Sequence, residues 1–271
     1  MSQFKDTIKE KTPAVLWETG REIKDGIVRA SMWPQAIWHP WRRHTIGQLK
    51  TMHNSQKGKR CFIIGNGPSL RNTDLGKLHN EITIGMNRIY LMFPELGFET
   101  TYFLCVNDLV IEQCAADIQE LKMPRFVSWR SRRWLKPDQG LCFLHTTHTG
   151  PKFGGYDLTQ RLWEGATVTY VALQTAFYLG FDQVILIGVD HNFTTQGKPN
   201  TTVVSQGDDP NHFSPAYFGK GFRWQLPDLE TSEIGYTMAR EAYQKAGRQV
   251  IDATVGGKLQ VFPKVDFDSL F

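Results

Sequence analysis

Cys61-Phe62-Ile63-Ile64-Gly65-Asn66-Gly67-Pro68-Ser69-Leu70 is the stretch that decides the fold. Its first four residues form an apolar run, the pattern of a strand buried on both faces. The run stops at two glycines around an asparagine. Gly65 and Gly67 permit positive φ and a close approach of backbone to a ligand. Pro68 lacks an N–H and has a preset φ, which suits the first turn of a helix. Strand, glycine turn and helix start together aim backbone N–H groups and a helix dipole at one point, an arrangement that binds anions. The turn reads as a nucleotide-phosphate site. The alternative is a turn that ends a strand for steric reasons alone.

Outward from this stretch the chain alternates between strand and helix signals. Strands are expected at 61–64, 81–86, 101–106, 125–129, 141–145, 183–188 and 249–252. Helices are expected from about 69, where Leu70, Leu75 and Leu78 would face a sheet, and over 110–121, 167–179 and 228–246. This alternation predicts an α/β, Rossmann-like domain with a mostly parallel sheet over residues 58–271. The 190–227 segment is polar, irregular and too long for a mere connection, so it reads as a lid. Residues 146–161 read as a flexible active-site loop.

Residues 1–57 read as a helical, basic and aromatic appendage, with a helix over 5–29. Residues 1–60 hold 12 Lys/Arg and 5 Asp/Glu, while the whole chain has a net charge of +4. The domain that follows is therefore slightly acidic, and nucleic-acid binding is not expected. Trp33, Trp38 and Trp41 stand beside Arg42 and Arg43. The tryptophans are expected to pack onto the main domain. The alternative is a peripheral seat of residues 33–43 on a membrane interface or an anionic polymer. No run reaches the ~18 apolar residues that span a bilayer, and the first residues carry no signal-peptide core. The expected location is the cytoplasm, with the inner face of the membrane as the place of any peripheral contact. Cys61, Cys105, Cys114 and Cys142 form no C-x-x-C pair and read as buried free thiols.

In an open parallel sheet, ligands bind at the carboxyl ends of the strands. Polar residues recur there: Asn66, Pro68 and Ser69, then Asn87 and Arg88, then Asn107 and Asp108, then Asp190, His191 and Asn192. Each one singly is a common loop residue; four groups at one edge point to a site. Asparagine amides donate and accept, so they can read ribose hydroxyls and base edges. No lysine follows the glycines as in a P-loop, and the third glycine of the dinucleotide fingerprint is missing.

These residues resemble the MptE-like family and, more distantly, the bacterial sialyltransferases of glycosyltransferase family 42. The likeness rests on I-I-G-N-G-P-S-L at 63–70, on Asn87 and Asn107, and on the helix from Thr167 that leads to I-x-L-x-G-V-D at Asp190. It covers roughly 60–260. In the sialyltransferases the matching asparagines hold the CMP of the donor. The resemblance therefore implies nucleotide binding by Gly65, Asn66, Gly67, Pro68, Ser69, Asn87, Arg88, Asn107, Asp108, Thr167 and Asp190. The implied reaction is transfer from a nucleotide sugar, with a CMP-sugar favoured, to a glycan in surface glycan synthesis, and it needs no metal.

The match breaks in the 190–227 segment. Asn192 stands where that family has a tyrosine. Ala216 stands at its catalytic histidine, and His212 matches an earlier, non-catalytic one. The chain's own candidates for catalysis are His212 and His191 as base, with Tyr217, Lys220 and Arg223 for the departing phosphate. The MptE-like relatives imply a second reading, an ATP-dependent diphosphokinase acting on a small alcohol such as a hydroxymethylpterin. It would need Mg²⁺ near Asp108 and Asp190, with Asp208 and Asp209 read as a solvated turn. A non-catalytic nucleotide-binding protein is the third.

Overall fold

A computed structural model describes residues 23, 26–27, 30–31, 33–194 and 197–271. By internal contacts the chain divides into Met1–Arg43 and His44–Phe271. This division lies upstream of the 57/58 boundary read from the sequence, and hydrogen bonds explain why. In helix α1 (Pro40–Met52), Thr45 Oγ1 accepts from the Phe143 N–H and the Leu49 carbonyl accepts from the Tyr178 hydroxyl. Beyond it, Gln56 N–H donates to the Leu179 carbonyl and Asp182 N–H to the Lys59 carbonyl. The helix expected over 5–29 lies outside the described residues apart from 23 and 26–27.

The strands of the larger unit are β1 (Arg60–Ile64), β2 (Thr83–Met86), β3 (Tyr102–Cys105), β4 (Arg125–Ser128), β5 (Leu141–Leu144), β6 (Thr146–Thr147), β7 (Leu162–Trp163), β8 (Gln183–Ile187), β9 (Thr202–Val204), β10 (Arg223–Gln225) and β11 (Gln249–Asp252). Seven of them make one parallel sheet in the order β11-β8-β1-β2-β3-β4-β5. This is the Rossmann-like α/β fold that the alternation predicts. β6 and β7 form a small parallel pair, and β9 and β10 an antiparallel one inside the 190–227 segment.

The buried runs explain the sheet. Cys61, Ile63, Ile84, Leu104, Phe126, Val184 and Leu186 join one core cluster. The residues that alternate with them, Phe62, Phe103, Val127, Phe143 and Ile185, are fully buried as well. Successive strand residues face opposite sides, so both faces of this sheet are covered, as parallel sheets require.

Short helices α2 (Phe93–Leu96), α3 (Asp108–Gln113) and α4 (Ala115–Glu120) precede the long α5 (Val168–Leu179) and α6 (Leu229–Lys245). α5 is buried at every position from Thr169 to Leu179, is capped by Thr167 and ends at Gly180, whose φ is 96°. Two expectations differ. The helix from about 69 is instead a pair of 3-10 turns, Pro68–Asn72 and Leu75–Leu78. Leu70, Leu75 and Leu78 are nonetheless buried. Asp74 caps the second turn by accepting from Gly76 N–H, a local bond that competes with a continuous helix. The helix over 110–121 is broken at Cys114, whose φ and ψ of −121° and 22° leave the helical region.

Candidate functional site

From β1 the chain runs outward through β2 to β5, then returns to the other side of β1 as β8. The strand order reverses between β1 and β8, which places a crevice outside their carboxyl ends. The turn after β1 packs directly on the turn after β8. Gly65 N–H donates to the Ile187 carbonyl and Gly67 N–H to the Gly188 carbonyl. A Cβ on Gly65 would lie 2.2 Å from the Gly188 oxygen, and one on Gly67 would lie 1.8 Å from Asp190 Oδ2. Neither glycine has a positive φ. The two glycines are thus required by contact with the neighbouring turn, which corrects the conformational reason expected from the sequence.

Asp190 closes this junction. Its Oδ1 accepts from the Ser69 N–H at 3.1 Å and its Oδ2 from the Ser69 hydroxyl at 2.7 Å. Burial pushes the Asp190 carboxyl above the usual carboxylate range, against the pull of both Ser69 bonds. Leu70 N–H bonds back to the Gly67 carbonyl. The N–H groups of residues 67, 69 and 70 are therefore engaged inside the protein, and a five-residue 3-10 turn replaces the helix. The phosphate cradle of backbone N–H groups expected here is not what the turn offers. It offers Asn66, whose Oδ1 is buried with no hydrogen-bond partner among the described residues.

The 190–227 segment contacts Asn66. Phe213 N–H donates to the Asn66 carbonyl at 2.9 Å, and Arg71 Nε–H donates to the Phe213 carbonyl. Asp209, expected to be a solvated turn residue, is buried and organises this segment. Its Oδ1 accepts from Asn211 N–H; its Oδ2 accepts from Phe218 N–H at 3.1 Å and pairs with His212 Nδ1 at 2.7 Å. A carboxylate only accepts, so Nδ1 carries the hydrogen, and in the neutral form of the ring Nε2 carries the lone pair. No described residue bonds Nε2.

The His212 ring stacks on Tyr217 with centroids 4.0 Å apart and planes 9° from parallel. Tyr217 is fully buried, and burial pushes its phenol up. Its oxygen accepts from Arg88 N–H. The Arg88 guanidinium donates to the carbonyls of Ala216 and Tyr217 and lies 5.2 Å from the Phe222 ring centre. Arg88 thus holds the Ala216–Tyr217 backbone, and Tyr217 stacks under His212. Asn87 adopts φ 52°, and its Oδ1 accepts from the Cys105 thiol.

Two flanks complete the edge. On one, Asn107 caps α3 by accepting from the N–H groups of Leu109 and Val110. Asp108 accepts from the Ser128 hydroxyl and, at 2.8 Å, from Arg130 Nε. Arg130 also donates to the Thr146 carbonyl and hydroxyl, to the Val106 carbonyl and, at 2.7 Å, to Glu164. On the other flank His191, at φ 54°, pairs through Nε2 with Glu233 at 2.8 Å. Its ring stands 6.1 Å from that of Tyr236, whose hydroxyl is 3.3 Å from Thr167 Oγ1.

The structure therefore joins residues 65–69, Asn87, Arg88, Asp190, His212 and Tyr217 around one crevice. Asn107 and Asp108 stand apart with Arg130 and Glu164; His191 and Thr167 stand together through Tyr236. Of the phosphate candidates, Arg223 pairs with Glu112 at 3.0 Å, and Lys220 is exposed. Sequence reasoning missed Arg71, Arg130, Glu164 and Tyr236. Their polar groups act through partners distant in the chain, and only the Asp209–His212 spacing carried a local signal.

Asp108 and Asp190, the candidates for Mg²⁺, each have both carboxylate oxygens in hydrogen bonds. Among the described residues no three His, Cys, Asp or Glu side chains are grouped to hold a metal. Both carboxylates are thus engaged by protein donors. An open groove of about 600 Å³, lined by Tyr90, Pro94, Phe98, Asp117 and Leu121, contains none of the crevice residues.

The profile of the family described as 6-hydroxymethylpterin diphosphokinase MptE-like matches residues 42–196, more than half of the chain. No curated protein matches the sequence significantly. Among solved structures, the MAf glycosyltransferase from Magnetospirillum magneticum AMB-1 superposes with a TM-score of 0.52 at 14% identity, covering 84% of this chain and 39% of that one. The sialyltransferase CstII from Campylobacter jejuni, in complex with a substrate analogue, cytidine-5'-monophosphate, gives a TM-score of 0.43 at 16% identity over 77% of this chain and 85% of that one. The chain spans 39% of the length of the MAf glycosyltransferase, and at this identity the likeness is one of fold.

Proposed function

Because the chain belongs to the MptE-like family, we propose that it is a nucleotide-dependent transferase with the nucleotide seated over Asn66. The observation that carries this reading is the buried, unpartnered Asn66 Oδ1 at the point where strand order reverses. A buried acceptor without a donor costs about 1–3 kcal/mol, and a ligand hydroxyl or amino group would supply the missing bond. The donor we favour is a CMP-sugar and the acceptor a glycan hydroxyl. The resemblance of residues 63–70 and Asn87, which meet at the crevice, to CMP-binding positions supports this choice.

In this reading His212 Nε2 takes the proton of the acceptor hydroxyl. The acceptor oxygen bonds to the anomeric carbon of the sugar. The bond from that carbon to the phosphate oxygen breaks, and CMP leaves with the electron pair. Asp209 stabilises the imidazolium that forms.

The second reading, diphosphate transfer from ATP to a small alcohol such as a hydroxymethylpterin, is favoured by the family's description. It would need Mg²⁺, and the engaged oxygens of Asp108 and Asp190 count against it. Thermal shifts with CMP, UDP, GDP and ATP–Mg²⁺ separate the two. The expected result is a shift by CMP that is reduced in Asn66→Ala. A shift by ATP–Mg²⁺ alone, with metal-dependent AMP release, would assign the diphosphokinase reading. A shift with no turnover of any donor would assign a nucleotide-binding protein without catalysis.

A further inference from the structure

The exposed apolar side chains are unevenly distributed. Of the ten large hydrophobic residues exposed among the described residues, five lie in one stretch: Ile23, Ile27, Trp33, Ile37 and Trp38. Trp33 and Trp38 are 54% and 65% exposed, with ring centres 6.0 Å apart. The expectation that these tryptophans are buried does not hold for these two. Residues 33–38 are helical, and the spacing of Trp33 to Ile37 is one helical repeat, which sets this pair on one side. Ala36, on another side of that helix, is buried. A soluble surface rarely gathers large apolar groups in this way without a partner.

We propose that this face of the Met1–Arg43 unit docks on an anionic lipid surface. Two observations choose lipid over another occupant. The first is the side-chain type. Tryptophan sits at the boundary between headgroups and acyl chains, where the ring is buried and the indole N–H stays hydrated. The second is charge. Met1–Arg43 holds eight Lys/Arg against five Asp/Glu, and Arg43 in this unit is exposed. Such a segment is attracted to anionic headgroups. Pairing with a second copy of itself would bring like charges together.

Flotation of the full chain with phosphatidylcholine vesicles, with and without phosphatidylglycerol, tests this. Binding is expected on the anionic vesicles, at least about tenfold tighter than on neutral ones, and falling as salt rises. A blue shift of tryptophan fluorescence should accompany it. The Trp33→Ala/Trp38→Ala double variant should lose about tenfold or more in partitioning while keeping the thermal transition of the parent chain. Arg43→Glu, which leaves the apolar face intact, should weaken binding to anionic vesicles alone. No partitioning of the full chain, or equal partitioning on neutral vesicles without salt dependence, overturns the proposal. So does a dimer, seen by sedimentation, that the tryptophan variant abolishes, because a second copy would then be the occupant.

Discussion

Two polar clusters lie at the carboxyl edge of the same sheet and differ in what they leave unpaired. Around Arg130, at the ends of β3, β4 and β5, nothing is left over. Its five N–H donors meet Asp108, Val106, both acceptors of Thr146, and Glu164. That cluster ties three strand ends together and has no guanidinium hydrogen to offer a ligand. At the β1–β8 crevice two groups remain open: the buried Asn66 Oδ1 and His212 Nε2. They belong to adjacent segments, since Phe213 bonds to the Asn66 carbonyl. A saturated network rigidifies a fold, whereas an unsatisfied buried group at a strand-order reversal points to a ligand.

The contrast breaks most sharply at His212. Replacing it by alanine removes a base and should lower turnover by about 10²–10⁴-fold. Urea unfolding should change little, apart from the loss of a stacked ring on Tyr217. If turnover survives, His212 is a structural partner of Asp209 and the contrast between the clusters fails.

Arg130→Ala should do the reverse. It leaves Glu164, only 9% exposed at its side chain, without its partner, a loss of about 3–5 kcal/mol in urea unfolding. At temperatures where the variant is folded, CMP affinity should be retained. A large loss of affinity with unchanged stability would move Arg130 into the binding site.

The smallest effect belongs to Asp190. Its pKa is raised in the folded chain by burial, so ionising it costs stability. The penalty is absent well below the unfolded value and appears as pH rises through the folded pKa. Asp190→Asn keeps an acceptor for Ser69 and removes that cost. Its stability relative to the parent should therefore improve as pH rises, read by denaturant unfolding at several pH values. A relative stability that falls with pH would mean that the Ser69 bonds outweigh burial.

Much of this was legible in the chain, for identifiable reasons. Val184 to Ile187 is an unbroken apolar run because β8 is buried on both faces, and such runs announce themselves. The polar residues after β1, β2 and β8 marked the sheet edge at which the crevice lies. The reason for Gly65 and Gly67 was not legible, because the clashing atoms belong to Gly188 and Asp190, more than a hundred residues away in the chain. The missing helix after Ser69 was hidden by local bonds. Ser69 N–H turns to Asp190, and Asp74 caps a separate 3-10 turn. Asp209 looked like a surface turn residue. Its burial depends on Phe218 and His212 folding back around it, which no period or spacing records. Trp33 and Trp38 misled in the opposite sense, since the usual tendency of tryptophan to be buried does not describe them.

In the proposed function, Asn66 Oδ1 accepts from a ligand donor. Calorimetric titration of CMP into the parent chain and into Asn66→Ala tests it most directly. Saturable binding by the parent is expected, with a loss of about tenfold to a hundredfold in the variant and the variant at least as stable without ligand. Equal affinity in both chains, or a variant that is destabilised and binds as before, would contradict it.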